Sequence, residues 1–596
     1  MEKTRDEIEE AYKWDLSTIY KDNNELLKDY NNILKKIEDY KKYENIFLNS
    51  AEDLYNALKD YDSIDMIIGK MWTFTSHRYD TDLSNNENQA FRDKVYNLYE
   101  KFSVVCSFIT PKLLRFGYDN VKKYCDDYPK LKEYSFEFEE IFRYENHTLS
   151  ENEEKLMAGL SKAMSDTGEI SSMLSDSDLV FGDITDSYGK KVKLTDTNYG
   201  TYIISKNRKV RKEAFDTLYK TYKQFNNTYA LLLSGEVERK KALAKVKHFN
   251  SSLEAALFGD NVSTDVYNNL IKSVNKNLYA LYDYYSVKKN ILGLDEMHIY
   301  DTYTPISSDD TKKYTFEEAK DLVINALSIL GDDYITNLKK AFSERWIDIY
   351  PNKSKRGGAY SGGSYLTNPF VLLNFKGTYS DVSTIAHELG HSMHSYYSIK
   401  NNPYQYSGYK IFVAEVASQV NELLFNHYMF TNAISKEEKI NILNQTLDLF
   451  KASIYRQTMF AEFEKDILEI CEDGEILTAD VLNNKYYDLV KKYFGDIVVC
   501  DDYIKYEWQR IPHFYYNFYV YKYSIGLAAA AFIANNIINN KESAKENYLA
   551  FLKTGGSMYP LDELRVAGVN LEDEKTIDDA PEMFKNYLEE LKKLTR

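Results

Sequence analysis

Two histidines and a glutamate in one short stretch have the types and spacing of a metal site. The run His387-Glu388-Leu389-Gly390-His391 is an H-E-x-x-H pattern inside a helical pattern that begins near Asp381. Because positions i and i+4 of a helix lie on one face, both imidazoles can bind the same zinc ion. Glu388 then lies beside the attacking water, where it can act as general base. With nine histidines in 596 residues, chance would produce this pattern at a rate on the order of one per cent.

A catalytic zinc takes three protein ligands and keeps one position open. The metzincin continuation is excluded, because His394 stands at its glycine position and Tyr397 at its last histidine position. His394 itself is expected to pack or to contact substrate. Glu415, 24 positions after His391 in an apolar segment, is the predicted third ligand, since a buried carboxylate is costly unless it is paired or binds a metal. Glu422 is the alternative ligand and is otherwise expected to orient a ligand histidine.

The elements that position these residues are predicted to be mostly helical. Hydrophobic residues make up 44% of the chain and aromatics 15%, whereas 24 glycines and 9 prolines are few for an all-β protein. Apolar residues recur at three- and four-residue steps in the N-terminal part, which predicts helices. Three S/T-x-x-E patterns predict helix starts, namely Ser150 with Glu153, Thr315 with Glu318, and Ser435 with Glu438.

A change of pattern near residue 200 indicates two domains. Two short β-like runs between Leu179 and Leu194 flank the turn residues Asp186-Ser187-Tyr188-Gly189, which predicts a β-hairpin. We therefore expect an N-terminal helical domain over residues 1–200 and a zinc-peptidase catalytic domain over residues 201–596.

Charge and composition exclude several classes of partner. Lysine and arginine total 75 against 92 for aspartate and glutamate, which gives a net charge of −17. Such a surface repels phosphate backbones and anionic lipids, so neither nucleic acid nor a membrane is an expected partner. The charged N-terminus, and apolar runs too short to span a bilayer, predict a cytoplasmic protein. Its four cysteines form no CxxC pattern and are expected to be reduced and buried: Cys106, Cys125, Cys471 and Cys500.

The segment before the metal motif is rich in glycine and then apolar. Asn368-Pro369 opens a predicted strand through Phe375, since a strand tolerates proline at its first position. The preceding glycine pairs are typical of ordinary turns, although glycine also lets a backbone approach a ligand closely.

These motifs together resemble those of a known family. The matching runs are Arg356–Asn374, His387–His394 and Glu415–Glu422, with Tyr12–Leu16 near the start and Tyr559–Asp562 and Ala567–Leu571 near the end. They are similar to oligoendopeptidase F, a branch of the thimet-oligopeptidase-like zinc peptidases. Lys112, after Pro111, departs from the acidic residue expected there.

The resemblance implies a mainly α-helical fold in two lobes around a deep substrate channel, with a small β-sheet beside the zinc site. It also implies one zinc ion per chain and short peptides as substrates, with folded proteins spared. The Pro369–Phe375 strand is then expected to form the cleft edge that pairs with an extended peptide. Four residues are expected to contact the substrate: Gly358, Ala359, Tyr360 and Asn374.

A run of aromatic residues near the C-terminal end surrounds a histidine. Residues 511–523 contain His513 among many phenols, and an aromatic core accounts for most of them. In the resembled family a histidine and tyrosines from this segment stabilise the oxyanion. By that analogy His513 is the first candidate, followed by Tyr516, Tyr519 and Tyr523.

The sequence therefore predicts a zinc-dependent endopeptidase that hydrolyses internal bonds of oligopeptides, with Glu388 as general base. Two alternatives remain open. One is a peptidyl-dipeptidase or other exopeptidase with the same zinc site, and the other is a non-catalytic zinc-containing peptide-binding protein. The sequence does not indicate an oligomeric state, and a monomer is compatible with it.

Overall fold

The computed structural model describes residues 3–306 and 312–595, which are mainly α-helical. In the first part the helices are α1 (Asn23–Tyr40), α2 (Tyr43–Ile46), α3 (Ala51–Asp80), α4 (Asn86–Cys106), α5 (Ile109–Phe116), α6 (Tyr118–Asp127), α7 (Ser135–Arg143), α8 (Glu151–Met173), α9 (Asp196–Ile203), α10 (Arg208–Gln224), α11 (Asn226–Val246), α12 (Ser252–Phe258), α13 (Thr264–Lys276) and α14 (Leu278–Ile291). In the second part they are α15 (Phe316–Leu327), α16 (Asp332–Ser343), α17 (Tyr379–Asn401), α18 (Ile411–Asn432), α19 (Lys436–Phe450), α20 (Gln457–Glu472), α21 (Ala479–Phe494), α22 (Tyr521–Ile538), α23 (Ala544–Phe551), α24 (Pro560–Val566) and α25 (Glu574–Thr595). The predicted mainly-α class is confirmed.

The strands are short and form small sheets. They are β1 (Asp183–Thr185), β2 (Lys191–Lys193), β3 (Met297–His298), β4 (Ile347–Asp348), β5 (Tyr360–Gly362), β6 (Phe370–Leu372) and β7 (Val498–Val499). Strand β1 pairs antiparallel with β2, and β3 pairs parallel with β7. The predicted hairpin around Asp186–Gly189 is therefore confirmed.

The predicted helix starts are also confirmed. Helices α8, α15 and α19 begin directly after Ser150, Thr315 and Ser435. In α15 the Thr315 hydroxyl accepts from the Glu318 amide at 3.2 Å, and the Glu318 carboxylate accepts from the Thr315 amide at 2.8 Å. These reciprocal bonds satisfy amides that a helix N-terminus would otherwise leave unpaired.

The chain divides into two compact units. The first comprises Met1–Asn146, Thr311–Tyr428 and Asn536–Gly568, and the second His147–Asp310, Met429–Asn535 and Val569–Arg596. The domain boundary predicted near residue 200 falls within the second unit and stays a prediction.

The first unit contains the three-stranded sheet, in the order β4-β6-β5. Strand β6 pairs parallel with β4 and antiparallel with β5, with Val371 opposite Ser361. The expectation that the Pro369–Phe375 strand is an open edge is therefore wrong, because both sides of β6 are paired. Its three residues are all buried, as expected of a central strand.

Strand β5 is the open edge of this sheet within the described residues. On the β4 side, the N-terminal segment lies alongside, where Ile349 N–H donates to Tyr12 O at 3.1 Å and Asp15 N–H donates to Arg345 O at 2.8 Å. In the part of the chain that the structure describes, β5 pairs with β6 on one side and with no strand on the other. An extended segment could therefore add to β5 as a further strand.

No helix in residues 3–306 and 312–595 has the length and apolar character needed to cross a bilayer. The four cysteines are unpaired thiols. Three of them are buried as predicted, and Cys500 is half-buried.

Candidate metal centre

Helices α17 and α18 are in close backbone contact at Gly390, inside the H-E-x-x-H run. A Cβ at this position would lie 2.5 Å from the Ser418 Cα and 2.6 Å from the Ala417 carbonyl oxygen. Only a residue without a side chain allows this contact. The Asn421 amide also donates to the Ala386 carbonyl at 3.1 Å and so joins the two helices. This close packing places the histidines of α17 beside Glu415 of α18.

His387, His391 and Glu415 each offer a ligand atom, and these atoms lie within 4.8 Å of one another. The Glu415 Oε2 is 3.4 Å from His387 Nε2 and 3.6 Å from His391 Nε2. Tetrahedral ligands about 2.1 Å from one ion lie about 3.4 Å apart, so the two distances from Glu415 match those that a zinc-sized ion requires. Two imidazoles and a carboxylate are also a ligand set of catalytic zinc sites.

Glu422 lies on the other side of the His387 ring. Its Oε2 accepts from His387 Nδ1 at 3.2 Å, and its Oε1 accepts from the Ser383 hydroxyl at 3.3 Å. A proton held on Nδ1 leaves Nε2 free as a metal ligand. On the Glu415 side, the Ser418 hydroxyl donates to Oε2 at 3.0 Å. The ligands are thus oriented by neighbouring polar side chains from the same two helices.

The electrostatics reflect this crowding of histidines and carboxylates. Burial acts to lower the pKa of His387, but hydrogen bonds to Glu415 and Glu422 outweigh it and raise the pKa to about 10. Burial and the neighbouring His387 lower the pKa of His391 to about 4. Burial opposes ionisation of Glu415, yet its bond to His387 and the nearby histidine charges lower its pKa to about 2.

Glu388 lies on α17 next to strand β5. It is 7% exposed, and burial, reinforced by Glu415, raises its pKa to about 7. The nearby backbone of Ser361 opposes that shift of the Glu388 pKa. The Ser361 and Ser392 hydroxyls are 2.8 Å apart, and Ser392 donates to the Glu388 carbonyl at 3.1 Å. The open strand is therefore joined directly to the metal-motif helix.

Comparison with known proteins identifies the family. A model described as Peptidase family M3 matches residues 201–583, and one described as Oligopeptidase F matches residues 112–181. The chain belongs to peptidase family M3. It is therefore a metallopeptidase, and the group His387, His391 and Glu415 could bind the metal that this family implies.

Full-length relatives agree with this assignment. The M3 peptidase is 41% identical to oligopeptidase PepF of Bacillus subtilis (strain 168) over 590 residues, covering 99% of this chain and 88% of that relative. It is 39% identical to group B oligopeptidase PepB of Streptococcus agalactiae, covering 100% and 99%. The crystal structure of oligoendopeptidase-F from Enterococcus faecium matches with a TM-score of 0.74 at 31% identity, covering 96% and 99%. A peptidase structure from Chlamydophila abortus matches with a TM-score of 0.92 at 37% identity over both whole chains.

Three of the four predicted substrate-binding residues of the M3 peptidase lie in or just before β5, and the fourth, Asn374, follows β6. Gly358, with φ of +80°, and Ala359 lead into the strand, which begins at Tyr360. The Tyr360 hydroxyl donates to Asp80 at 2.7 Å. The Asn374 amide donates to the carbonyls of Arg356 at 2.9 Å and Gly358 at 2.8 Å. In this structure Asn374 holds the glycine loop in place, and a direct contact of these four residues with substrate stays a prediction.

The predicted oxyanion residues form one cluster in the second unit. The His513 ring centroid lies 5.5 Å from that of Tyr516, 6.1 Å from that of Tyr519 and 6.1 Å from that of Tyr523. Tyr516 is 55% exposed. Burial lowers the pKa of His513 below its ordinary value. An imidazole that can donate an N–H bond therefore lies among three phenols.

His394 packs in the core, which is one of the two roles expected of it. It is fully buried, and its ring stacks on Tyr409 with centroids 3.8 Å apart and planes at 7°. It does not belong to the group of metal-ligating atoms found among the described residues.

Sequence reasoning missed several residues that shape this site. The roles of Ser361, Ser392 and Asp80 could not be read from local spacing, because the Ser361–Ser392 and Tyr360–Asp80 bonds join residues 31 and 280 positions apart. Gly390 does carry one, since an isolated glycine within a helical pattern indicates a close backbone approach.

Proposed function

We propose that this M3 peptidase is a zinc-dependent endopeptidase that hydrolyses internal bonds of short oligopeptides. The single observation that carries the proposal is the convergence of His387, His391 and Glu415 on α17 and α18, with Glu388 between the two histidines. Its relatives named oligopeptidase and oligoendopeptidase support the substrate class.

His387, His391 and Glu415 would hold one zinc ion. When bound, zinc supplies Lewis-acid chemistry, polarising the scissile carbonyl and making a water more acidic. Glu422 holds a proton of His387 on Nδ1, which makes Nε2 the nitrogen that would bind the zinc ion.

Glu388 is the proposed general base. Its pKa near 7 lets it accept a proton from the attacking water and later return it to the leaving amine. The backbone of Ser361 lies close enough to this carboxylate to act on its pKa. Both features come from burial of Glu388 against β5.

The edge of β5 is the proposed binding site for the substrate backbone. An extended peptide can add to its free side as a further strand, which aligns the main chain irrespective of side-chain identity. Because β5 is hydrogen-bonded to the metal-motif helix through Ser361 and Ser392, a bound peptide would be held at a defined distance from Glu388.

The proposed oxyanion donors are His513 and the tyrosines around it. Their support is the clustering of four rings within one short segment, together with the burial that lowers the pKa of His513. A donor aimed at the developing negative charge stabilises the transition state more than the ground state.

We further place the enzyme in the cytoplasm, acting on free peptides. The four unpaired thiols support this placement, since disulfides are rare in reducing compartments.

The test is a digest of a peptide ladder from about five to thirty residues together with an unfolded protein, analysed by mass spectrometry. Wild type runs beside Glu388→Gln, each with and without a zinc chelator. Internal cuts confined to short peptides, lost in Glu388→Gln and with chelator, are the expected result. Glu437→Gln, on an exposed position of α19, is the matched control and keeps full activity.

Other outcomes of the digest would replace the proposal. Cuts only near chain ends, abolished by blocking a terminus, would indicate an exopeptidase. A zinc-loaded, folded protein that binds peptides without cutting them would be the non-catalytic alternative.

A further inference from the structure

We propose that the buried ion pair Lys240–Glu464 positions the segment that carries His513, Tyr516 and Tyr519, and so sets the turnover rate of the peptidase. The inference rests on the proposed function, in which His513 acts on the oxyanion. Lys240 lies on α11 and Glu464 on α20, both in the second unit. They are positioning residues, because they act on the reaction only through the segment that they hold.

The segment has an unfavourable backbone. Asn517 and Phe518 have φ of +52° and +57°, so two successive residues with side chains occupy the left-handed region. This region is disfavoured for any residue with a Cβ, and more so for a bulky one such as phenylalanine. Such a conformation persists only where the surrounding structure imposes it.

The ion pair contacts the segment on both sides of this turn. Lys240 Nζ donates to Glu464 Oε1 at 3.1 Å and to the Phe514 carbonyl at 2.9 Å. The Phe518 amide donates to the same Glu464 oxygen at 2.7 Å. One charged pair therefore satisfies the carbonyl that enters the turn and the amide that leaves it.

Two buried aromatic rings complete the attachment. Phe514 packs on Phe460 and Phe463, with centroids 5.6 Å and 5.0 Å away, and Phe518 packs on Tyr267 at 5.6 Å. Both phenylalanines are 1% exposed. Between these two fixed positions Tyr515 is half-buried, whereas Tyr516 is 55% exposed.

A role in stability alone does not account for the pair. The Lys240 and Glu464 side chains are 5% and 4% exposed, so both charges have lost their hydration. Replacing a buried ion pair by apolar residues is often neutral or stabilising, because desolvation offsets the attraction between the charges. What apolar side chains cannot replace is the pair of directional bonds to Phe514 and Phe518.

The decisive variant exchanges the two charges, Lys240→Glu with Glu464→Lys. It keeps an ion pair, but it places a carboxylate against the Phe514 carbonyl and an ammonium against the Phe518 amide. We expect kcat to fall at least tenfold, with KM within twofold and zinc content unchanged, since the metal ligands belong to the other unit. Hydrogen exchange of the amides in residues 514–518 should accelerate at the same time.

A second buried pair in the same unit is the control. Arg211 and Asp301 are 3% and 0% exposed and do not contact residues 513–523 among the bonds described here. The variant Arg211→Met with Asp301→Asn also removes the charged acceptor of Arg208, so it should lower the melting temperature while kcat stays within twofold. A loss of kcat in this control equal to that of the exchanged pair would overturn the proposal, because the effect would then follow stability.

If the variant with exchanged charges does not fold, two single substitutions of Glu464 test the same inference. Glu464→Gln keeps an oxygen that can accept from the Phe518 amide, whereas Glu464→Met does not, and both lose the charge. We expect kcat of the glutamine variant to exceed that of the methionine variant at least fivefold. Equal kcat values would contradict positioning.

His513→Ala separates this inference from the proposed function. If His513→Ala loses turnover but the exchanged pair does not, the positioning inference fails and the proposed function stands. If His513→Ala turns over like wild type, the proposed oxyanion role is wrong, and the positioning inference fails with it.

Discussion

Two regions of this peptidase reach a defined geometry by different means. The metal group lies on two regular helices, and two of its three ligands are four positions apart on α17. The His513 cluster lies instead on an irregular segment that contains two left-handed residues. Lys240 holds this segment by a bond to the Phe514 carbonyl, and the two residues are 274 positions apart in the sequence. Helix periodicity therefore places metal ligands locally, whereas the aromatic donors depend on distant contacts. Mutations in the two regions should accordingly fail in different ways.

The largest effect is expected at the helix contact of the metal region. Gly390→Ala would place a Cβ 2.5 Å from the Ser418 backbone, so α17 and α18 must separate and the ligand atoms move apart. We expect loss of bound zinc and of activity, measured by metal analysis and peptide turnover. Gly200→Ala on α9, with no atom within 4 Å of the added Cβ, is the control and should gain about 0.5–1 kcal/mol of stability. Full zinc content in Gly390→Ala would show that this contact does not set the site.

The next effect concerns the aromatic region. His513→Ala should lower kcat by ~10²–10³-fold, the usual cost of removing one oxyanion donor. Zinc content should not change, because no metal ligand is altered. Three further variants identify which phenol donates: Tyr516→Phe, Tyr519→Phe and Tyr523→Phe. The control is Tyr188→Phe, at a position that is 96% exposed on the hairpin, and its kcat should equal that of wild type. Loss of zinc in His513→Ala would contradict the expectation that mutations in the aromatic region leave the metal group intact.

A smaller effect is expected at the carboxylate that orients His387. Glu422→Gln removes the charged acceptor of His387 Nδ1 and should weaken zinc binding ~10–100-fold. Competition with a chelator measures the affinity directly. Ser383→Ala, which removes only the 3.3 Å bond to Glu422, should weaken zinc binding less. An unchanged affinity in Glu422→Gln would mean that the helices alone orient the ligand.

The smallest effect is a pH dependence of stability near the sheet. His77 is buried among Trp14, Tyr360 and Phe370, and burial lowers its pKa from 6.5 to about 4. Between pH 6.5 and 4 the unfolded chain therefore binds the proton that the folded chain excludes, and stability falls as the pH falls. This one group contributes a slope of about 1.4 kcal/mol per pH unit.

His77→Phe should remove that slope from the difference between variant and wild type. Urea unfolding of both proteins from pH 7 to pH 4.5 provides the measurement. Parallel stability curves would show that His77 does not titrate in this range.

Much of the site was predictable, because its signals are local in sequence. The i and i+4 spacing of His387 and His391, the apolar surroundings of Glu415, the capping patterns and the hairpin turn each follow from short-range geometry. The identity of the open strand was predicted wrongly. The unbroken apolar run Phe370–Leu372 indicates a strand buried on both faces, and only the pairing with β4 and β5 revealed that β5 is the edge.

The amino-acid sequence by itself determined the helical class, the metal-ligating residue types and the aromatic character of residues 511–523. Only the tertiary structure decided which atoms meet: the α17–α18 contact at Gly390, the bond between Ser361 and Ser392, and the attachment of Phe514 and Phe518 to Lys240 and Glu464. The physical reason is that helix and turn preferences act over a few residues, whereas burial and hydrogen bonding join residues hundreds of positions apart.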